Sequence, residues 1–365
     1  MTYSLINWDD MHYDGTLIDG HNKPFNFIIS ERELGKTTWF WVKKAYREFC
    51  KTNRPTLVIR RLIADITDVY IADIEKTINA FQVDKIQFTF KKGSIKEGVV
   101  DIYVEEQLFL RILALSNPMS RIKSLRLDRI KYVVFDEFIC NTRLGEKYVD
   151  DEAFKFREVY NTFQRFCYDQ DPNQKETLKC YFLGNPYSLY NPYFVWIGVD
   201  TKKIHKGCLE SGLNWVVHCG ELSQKLREFI LSKNPLYQFD DSYTKYAFGG
   251  EAINDSNINI VDKQPEYFKL RHIFKIDTKY LYVYVDTNPY KNWDLTMWAE
   301  VRSDYEGKNR AIFCFDFRDL VNNTVLMSSQ DKAYFDYFKQ CVRFRRIGYK
   351  SIEASYLAEE IYKNT

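Results

Sequence analysis

The most constraining stretch of this 365-residue chain lies between residues 25 and 50. Phe25-Asn26-Phe27-Ile28-Ile29 is a short apolar run of the length of a buried strand. It leads into Ser30-Glu31-Arg32-Glu33-Leu34-Gly35-Lys36-Thr37, and from Thr38 to Cys50 the residues Phe40, Val42, Tyr46 and Phe49 suit a helix. Strand, glycine-containing loop and helix, in that order, open a parallel α/β sheet. The loop fits the pattern GxxxxGK[ST], with Ser30 where the first glycine stands. In such a loop the backbone N–H groups and the helix N-terminus wrap phosphates. Gly35 permits the close approach, Lys36 reaches the β- and γ-phosphates, and the Thr37 hydroxyl suits Mg²⁺. The candidate nucleotide-binding residues are therefore Ser30, Glu31, Arg32, Glu33, Leu34, Gly35, Lys36, Thr37 and Thr38. The competing reading is a chance Gly-Lys-Thr at a helix start. Ser30 must in either case turn with angles open to a residue that has a Cβ.

The rest of the chain extends the pattern. Residues 57–60 and 131–135 read as strands, as do 86–90, 99–104, 108–113 and 178–183, with helices expected over 65–80 and 150–166. The helix over 65–80 draws on Ile66, Val69, Tyr70, Ile74 and Ile78. Buried strands alternating with helices predict a mostly parallel α/β sheet covered on both faces. We expect this domain to span 1–200, a linker region 201–252, and a second, smaller α/β domain 253–365. In the last, strands are expected over 272–276, 280–286, 295–301 and 311–317, and helices over 331–346 and 351–362.

A second chemical motif follows about a hundred residues after the loop. Tyr132-Val133-Val134-Phe135 is an apolar strand ending in Asp136-Glu137. Asp136 there is placed to hold Mg²⁺ through water, and Glu137 to polarise an attacking water as general base. Leu183-Gly184-Asn185 ends the next strand, where an amide able to donate and accept would sense a γ-phosphate; the same residues also read as a plain turn. Arg165, at the end of the preceding helix, could reach a neighbouring subunit's phosphate or simply be solvated, and Arg32 is its rival in cis. The run Arg121, Lys123, Arg126, Arg129 and Lys131 suits DNA phosphates or a solvated face equally. Arg343, Arg345 and Arg346 form a further basic cluster.

Composition excludes several classes. Net charge is +2, from 52 basic and 50 acidic residues, so nucleic-acid contact must rest on a local patch. The eight cysteines show no CxxC spacing and the five histidines are scattered, which excludes a zinc knuckle. The aromatic share of 17% points chiefly to an aromatic core. Neither a signal peptide nor an apolar membrane span is visible, so a cytosolic protein is expected.

Together FNFIISERELGKT, LVIRR at 57–61, VVFDEF at 133–138, NTFQR at 161–165, LGN at 183–185 and NPYF at 191–194 resemble the DNA-packaging ATPases, or encapsidation proteins, of Picovirinae-type small podophages. The resemblance covers nearly the whole chain. It implies an ASCE-type (additional strand, catalytic Glu) ATPase domain followed by an RNase H-like domain that has lost its cutting site. It implies ATP and Mg²⁺ as cofactors, and double-stranded DNA, the procapsid portal and, in some members, a structural RNA as partners. It also implies a homomeric ring, typically of five subunits, at the portal vertex in the host cytoplasm; since the portal templates the ring, the isolated chain is expected to be a monomer. By the same resemblance Lys36 and Thr37 are the phosphate and metal ligands, Asp136 and Glu137 the acidic pair, Asn185 the sensor, and Arg165 a residue acting in trans. Asn7 and Trp8 fall where the adenine is gripped. The alternatives are a terminase-like enzyme whose second domain cuts DNA, through carboxylates such as Asp286 and Asp316, and a non-motor nucleotide-binding protein.

Overall fold

The computed structural model describes residues 12–90, 98–125, 129–141, 144–169, 177–238, 244, 258–287, 295–305, 310–321, 324–327 and 335–364. Asn7, Trp8 and Arg126 lie outside the described residues. The chain divides into two compact units, Met1–Asn254 and Asp255–Thr365.

The first unit is built on strands β1 (Phe25–Ser30), β2 (Thr56–Arg60), β3 (Thr89–Phe90), β4 (Val99–Val104), β5 (Gln107–Ala114), β6 (Tyr132–Asp136), β7 (Lys179–Gly184), β8 (Leu209–Ser211) and β9 (Trp215–Gly220). Their order is β3-β4-β5-β2-β6-β7-β1-β9-β8. All neighbours from β5 to β9 are parallel, while β3, β4 and β8 pair antiparallel at the edges. Strand β7 lies between β1 and β6, which is the added strand of the ASCE arrangement. The parallel strands carry continuous apolar runs because both sheet faces are covered. Asn26, a polar residue inside β1, is satisfied by donating to the carbonyls of Lys23 and Cys180. Aromatic rings fill the core: Phe27 stacks on Phe182 at 4.3 Å, and Phe138, Phe156 and Tyr193 pack round Phe182.

Parallel pairing brings the C-terminal ends of β1, β2, β6 and β7 to one edge of the sheet, where open α/β sheets bind ligands. Two expectations change here. Strands β8 and β9 extend the sheet past residue 200, into the stretch read as a linker, because β9 pairs with β1 along its length. In the helix after β2, Asp68–Phe81, the buried residues are Ile71, Ile74 and Ile78, with Val69 turned outward at 70% exposure.

The second unit has strands β10 (Phe268–Ile276), β11 (Lys279–Asp286), β12 (Met297–Arg302), β13 (Ile312–Cys314), β14 (Thr324–Leu326) and β15 (Ile347–Tyr349), in the order β14-β13-β10-β11-β12-β15. An antiparallel meander β10-β11-β12 is extended by β13 and β14, parallel to β10, as an RNase H-like sheet requires. Helices Asp336–Arg343 and Ile352–Asn364 contribute Phe338, Leu357 and Ile361 to the core against Phe274, Leu281 and Val283. The register separates the two carboxylates a nuclease would need together. Asp286 sits opposite Phe268 at the start of β10, whereas Asp316 follows β13 beyond the far end of β10. At ~3.3 Å per residue, roughly 25 Å of strand lies between them. Asp316 instead takes up the guanidinium of Arg318 at 2.6 Å.

Candidate active site

A cleft of about 740 Å³ opens at the C-terminal edge of the first sheet, and Lys36, Thr37, Asp136, Glu137 and Asn185 all line it. Three elements deliver them: the helix start after β1 brings Lys36 and Thr37, the end of β6 brings Asp136 and Glu137, and the end of β7 brings Asn185. The loop after β1 turns through left-handed residues Glu33 (φ 66°) and Gly35 (φ 81°), and helix α1 (Lys36–Trp39) starts at once. Glycine at position 35 accepts that backbone without strain. The Lys36 ammonium donates to Oδ1 of Asn185 at 2.7 Å, joining the β1 loop to the end of β7. Burial pushes the Lys36 amine down to about 8, against the pull of Asp136 and Glu137.

The acidic pair sits at the end of β6. Burial raises the Asp136 carboxyl, and the Arg60 guanidinium opposes that rise. Arg60, the last residue of β2, places Nη1 3.6 Å from Oδ2 of Asp136 and Nη2 2.9 Å from Oε2 of Glu137. Its guanidinium lies 4.5 Å from the Tyr70 ring centroid, and the Tyr70 hydroxyl donates to Asp136 at 3.3 Å. The Thr37 hydroxyl and the Asp136 carboxylate are hard oxygen donors on one cleft. They fit Mg²⁺, which takes one or two protein oxygens and completes its shell with water and substrate phosphates. Among the described residues no group of three His, Cys, Asp or Glu gathers for a metal held by protein alone.

Not every loop residue faces the cleft. Arg32, Glu33, Gly35, Lys36, Thr37 and Thr38 line it; Ser30, Glu31 and Leu34 do not. Glu31 is fully buried behind the loop, where it accepts from Lys206 (2.6 Å), Arg227 (3.0 Å) and the Leu222 amide (2.9 Å). A buried carboxylate must be paired, and these partners lie behind the phosphate side. Ser30 donates to the Glu31 carbonyl, and Leu34 packs into the core. Arg32 donates to the Tyr187 hydroxyl at 3.0 Å.

Arg165 is exposed in helix Glu152–Asp169 and does not line the cleft of its own chain. Of the basic run, Arg121 and Lys123 lie on helix Met119–Ser124, but Lys123 pairs with Glu158 at 2.6 Å and Lys131 with Glu48 at 3.6 Å. The run is therefore partly neutralised within the chain. Arg60 and Tyr70 are the site residues that sequence reasoning passed over. The signal for Arg60 was available, as an arginine ending the strand beside the acidic one.

Residues 9–354 match the family model described as Podovirus DNA encapsidation protein (Gp16). A DNA packaging protein of Bacillus phage B103 is 23% identical over 86% of this chain and 88% of its own length. One from Bacillus phage PZA is 22% identical over 89% and 88%. Among solved structures, a chain of the bacteriophage Phi-29 viral genome packaging motor assembly superposes with TM-score 0.68 at 17% identity, over 97% of this chain and 99% of its own. The Phi-28 gp11 DNA packaging motor gives 0.61 at 16%, over 97% and 98%.

Proposed function

The chain belongs to the podovirus DNA encapsidation protein family, and from that premise we propose that it hydrolyses ATP to drive double-stranded DNA into a procapsid as one subunit of a portal-docked ring. The observation that carries the reading is the convergence of Lys36, the Asp136-Glu137 pair and Asn185 on one cleft. Loop N–H groups and Lys36 bind the β- and γ-phosphates of ATP, and Asn185, bonded to Lys36, registers the γ-phosphate. Bound Mg²⁺, held by Thr37 and Asp136, supplies charge neutralisation on the phosphates. Glu137 takes a proton from a water as that water's oxygen bonds to the γ-phosphorus. The bond from that phosphorus to the β,γ-bridging oxygen breaks, leaving ADP and phosphate. Arg165 of a neighbouring subunit offsets the charge that develops. DNA is gripped through its backbone by basic side chains that include Arg121, and a packaging RNA is a further partner in the ring.

Glu137→Gln tests the reading. ATP binding should persist while turnover falls on the order of 10²–10⁴-fold; turnover at the wild-type rate removes Glu137 from the role of base. The separation of Asp286 from Asp316 gives the nuclease alternative no support.

A further inference from the structure

Glu137 carries an unusual backbone. Its φ is 60°, a left-handed conformation that residues with a side chain seldom adopt and that surroundings must impose. The imposing group is buried directly behind it. Arg61, 8% exposed, donates from Nη1 to the Glu137 carbonyl at 3.1 Å and from Nη2 to the Phe138 carbonyl at 2.7 Å. Two successive carbonyls of the turn are thus fixed by one planar fork.

The fork is itself held. Glu152 accepts from Arg61 Nε at 2.9 Å and from Nη2 at 3.1 Å. The Glu152 carboxylate, fully buried, also accepts the Tyr193 hydroxyl at 2.8 Å and the Val149 amide at 2.9 Å. The Arg61 guanidinium lies 5.4 Å from the Phe135 ring centroid and 5.1 Å from that of Tyr148. A charge pair this deep is costly unless every arm is used, and here the arms run from the base's own peptide to the first turn of helix Glu152–Asp169.

We propose that Arg61 and Glu152 are positioning residues for hydrolysis: they hold the backbone of Glu137 in its left-handed turn and so aim its carboxylate at the attacking water. The inference rests on the reading of Glu137 as general base. Neither Arg61 nor Glu152 lines the nucleotide cleft, so the pair acts on the base and not on phosphate binding.

The test is ATP turnover on procapsids with double-stranded DNA by Glu152→Gln beside wild type and Glu137→Gln, all full-length, with the affinity of a fluorescent ATP analogue measured in parallel. A displaced base should lower kcat on the order of 10–100-fold, with KM and analogue affinity within about twofold of wild type. Unchanged kcat overturns the proposal, as does a parallel loss of affinity, which marks a general structural role. Failure of wild type to turn over ATP, or full activity of Glu137→Gln, overturns the underlying reading instead. Should Glu152→Gln not fold, Tyr193→Phe, which removes one hydrogen bond from Glu152, serves in its place: reduced kcat at unchanged affinity upholds the proposal and wild-type kcat overturns it.

Discussion

Arg60 Nη2 lies 2.9 Å from Oε2 of Glu137, so the base is engaged by an arginine of its own chain. The pair occupies one acceptor site of the carboxylate and restrains how it can turn towards a water. The Glu137 side chain is 64% exposed, which limits the strength of the restraint. A pair of this kind is worth at most about 1 kcal/mol, or roughly fivefold in rate. Arg60→Ala should therefore raise basal, DNA-independent phosphate release by no more than about fivefold, and reduce the further stimulation by DNA. A large fall in basal release would show instead that Arg60 stabilises the transition state or keeps the buried Asp136 charged.

The distribution of charged groups also bears on the proposed ring. Arg165 is exposed and absent from its own cleft, so a catalytic role for it requires a neighbour. Arg165→Ala and Glu137→Gln should each be inactive alone on procapsids. Mixed in equal amounts, they should regain up to roughly a quarter of wild-type turnover, since head-to-tail contacts pair an intact base with an intact arginine at that frequency. No recovery in the mixture would place Arg165 in cis, and an active Arg165→Ala would place it outside catalysis.

Much of this site was legible in the sequence because its parts end buried parallel strands. Leu57-Val58-Ile59 and Val133-Val134-Phe135 are continuous apolar runs that could only be buried on both faces. Strand β9 was hidden because His218 interrupts Trp215-Val216-Val217, and only the fold shows its ring nitrogen bonded to the Tyr13 hydroxyl at 2.7 Å. The Glu31 side chain departs from expectation for a related reason. Its place in the loop suggests phosphate, whereas its partners Lys206 and Arg227 stand 175 and 196 residues away. No local pattern reports which way such a side chain turns.

Gly184 illustrates a constraint that is steric. A Cβ built there would lie 2.7 Å from the ring of Phe138, one residue beyond the base. Gly184→Ala should lower stability by about 1–3 kcal/mol through overpacking. Phe138→Leu in the same chain should recover part of that loss by vacating the contact. Thermal unfolding of the two single variants and the double variant beside wild type decides the matter; a double variant weaker than both singles would mean that Phe138 is not what the added methyl strikes.

The second unit should carry an acid-sensitive point at His272. The imidazole is 7% exposed, with Phe335 and Phe274 at 5.2 and 6.0 Å between ring centroids. Burial, and to a lesser degree Arg271, pushes its pKa down from 6.5 to about 4. Between those two values the unfolded chain binds a proton that the folded chain refuses. The stability present above the unfolded value is therefore lost as pH falls towards about 4, by up to roughly 3 kcal/mol. His272→Phe keeps an aromatic ring among aromatic rings and removes the titration. Its melting temperature should drop less than that of wild type between about pH 7.5 and about pH 5. Equal drops in the two proteins would assign the acid sensitivity to other groups.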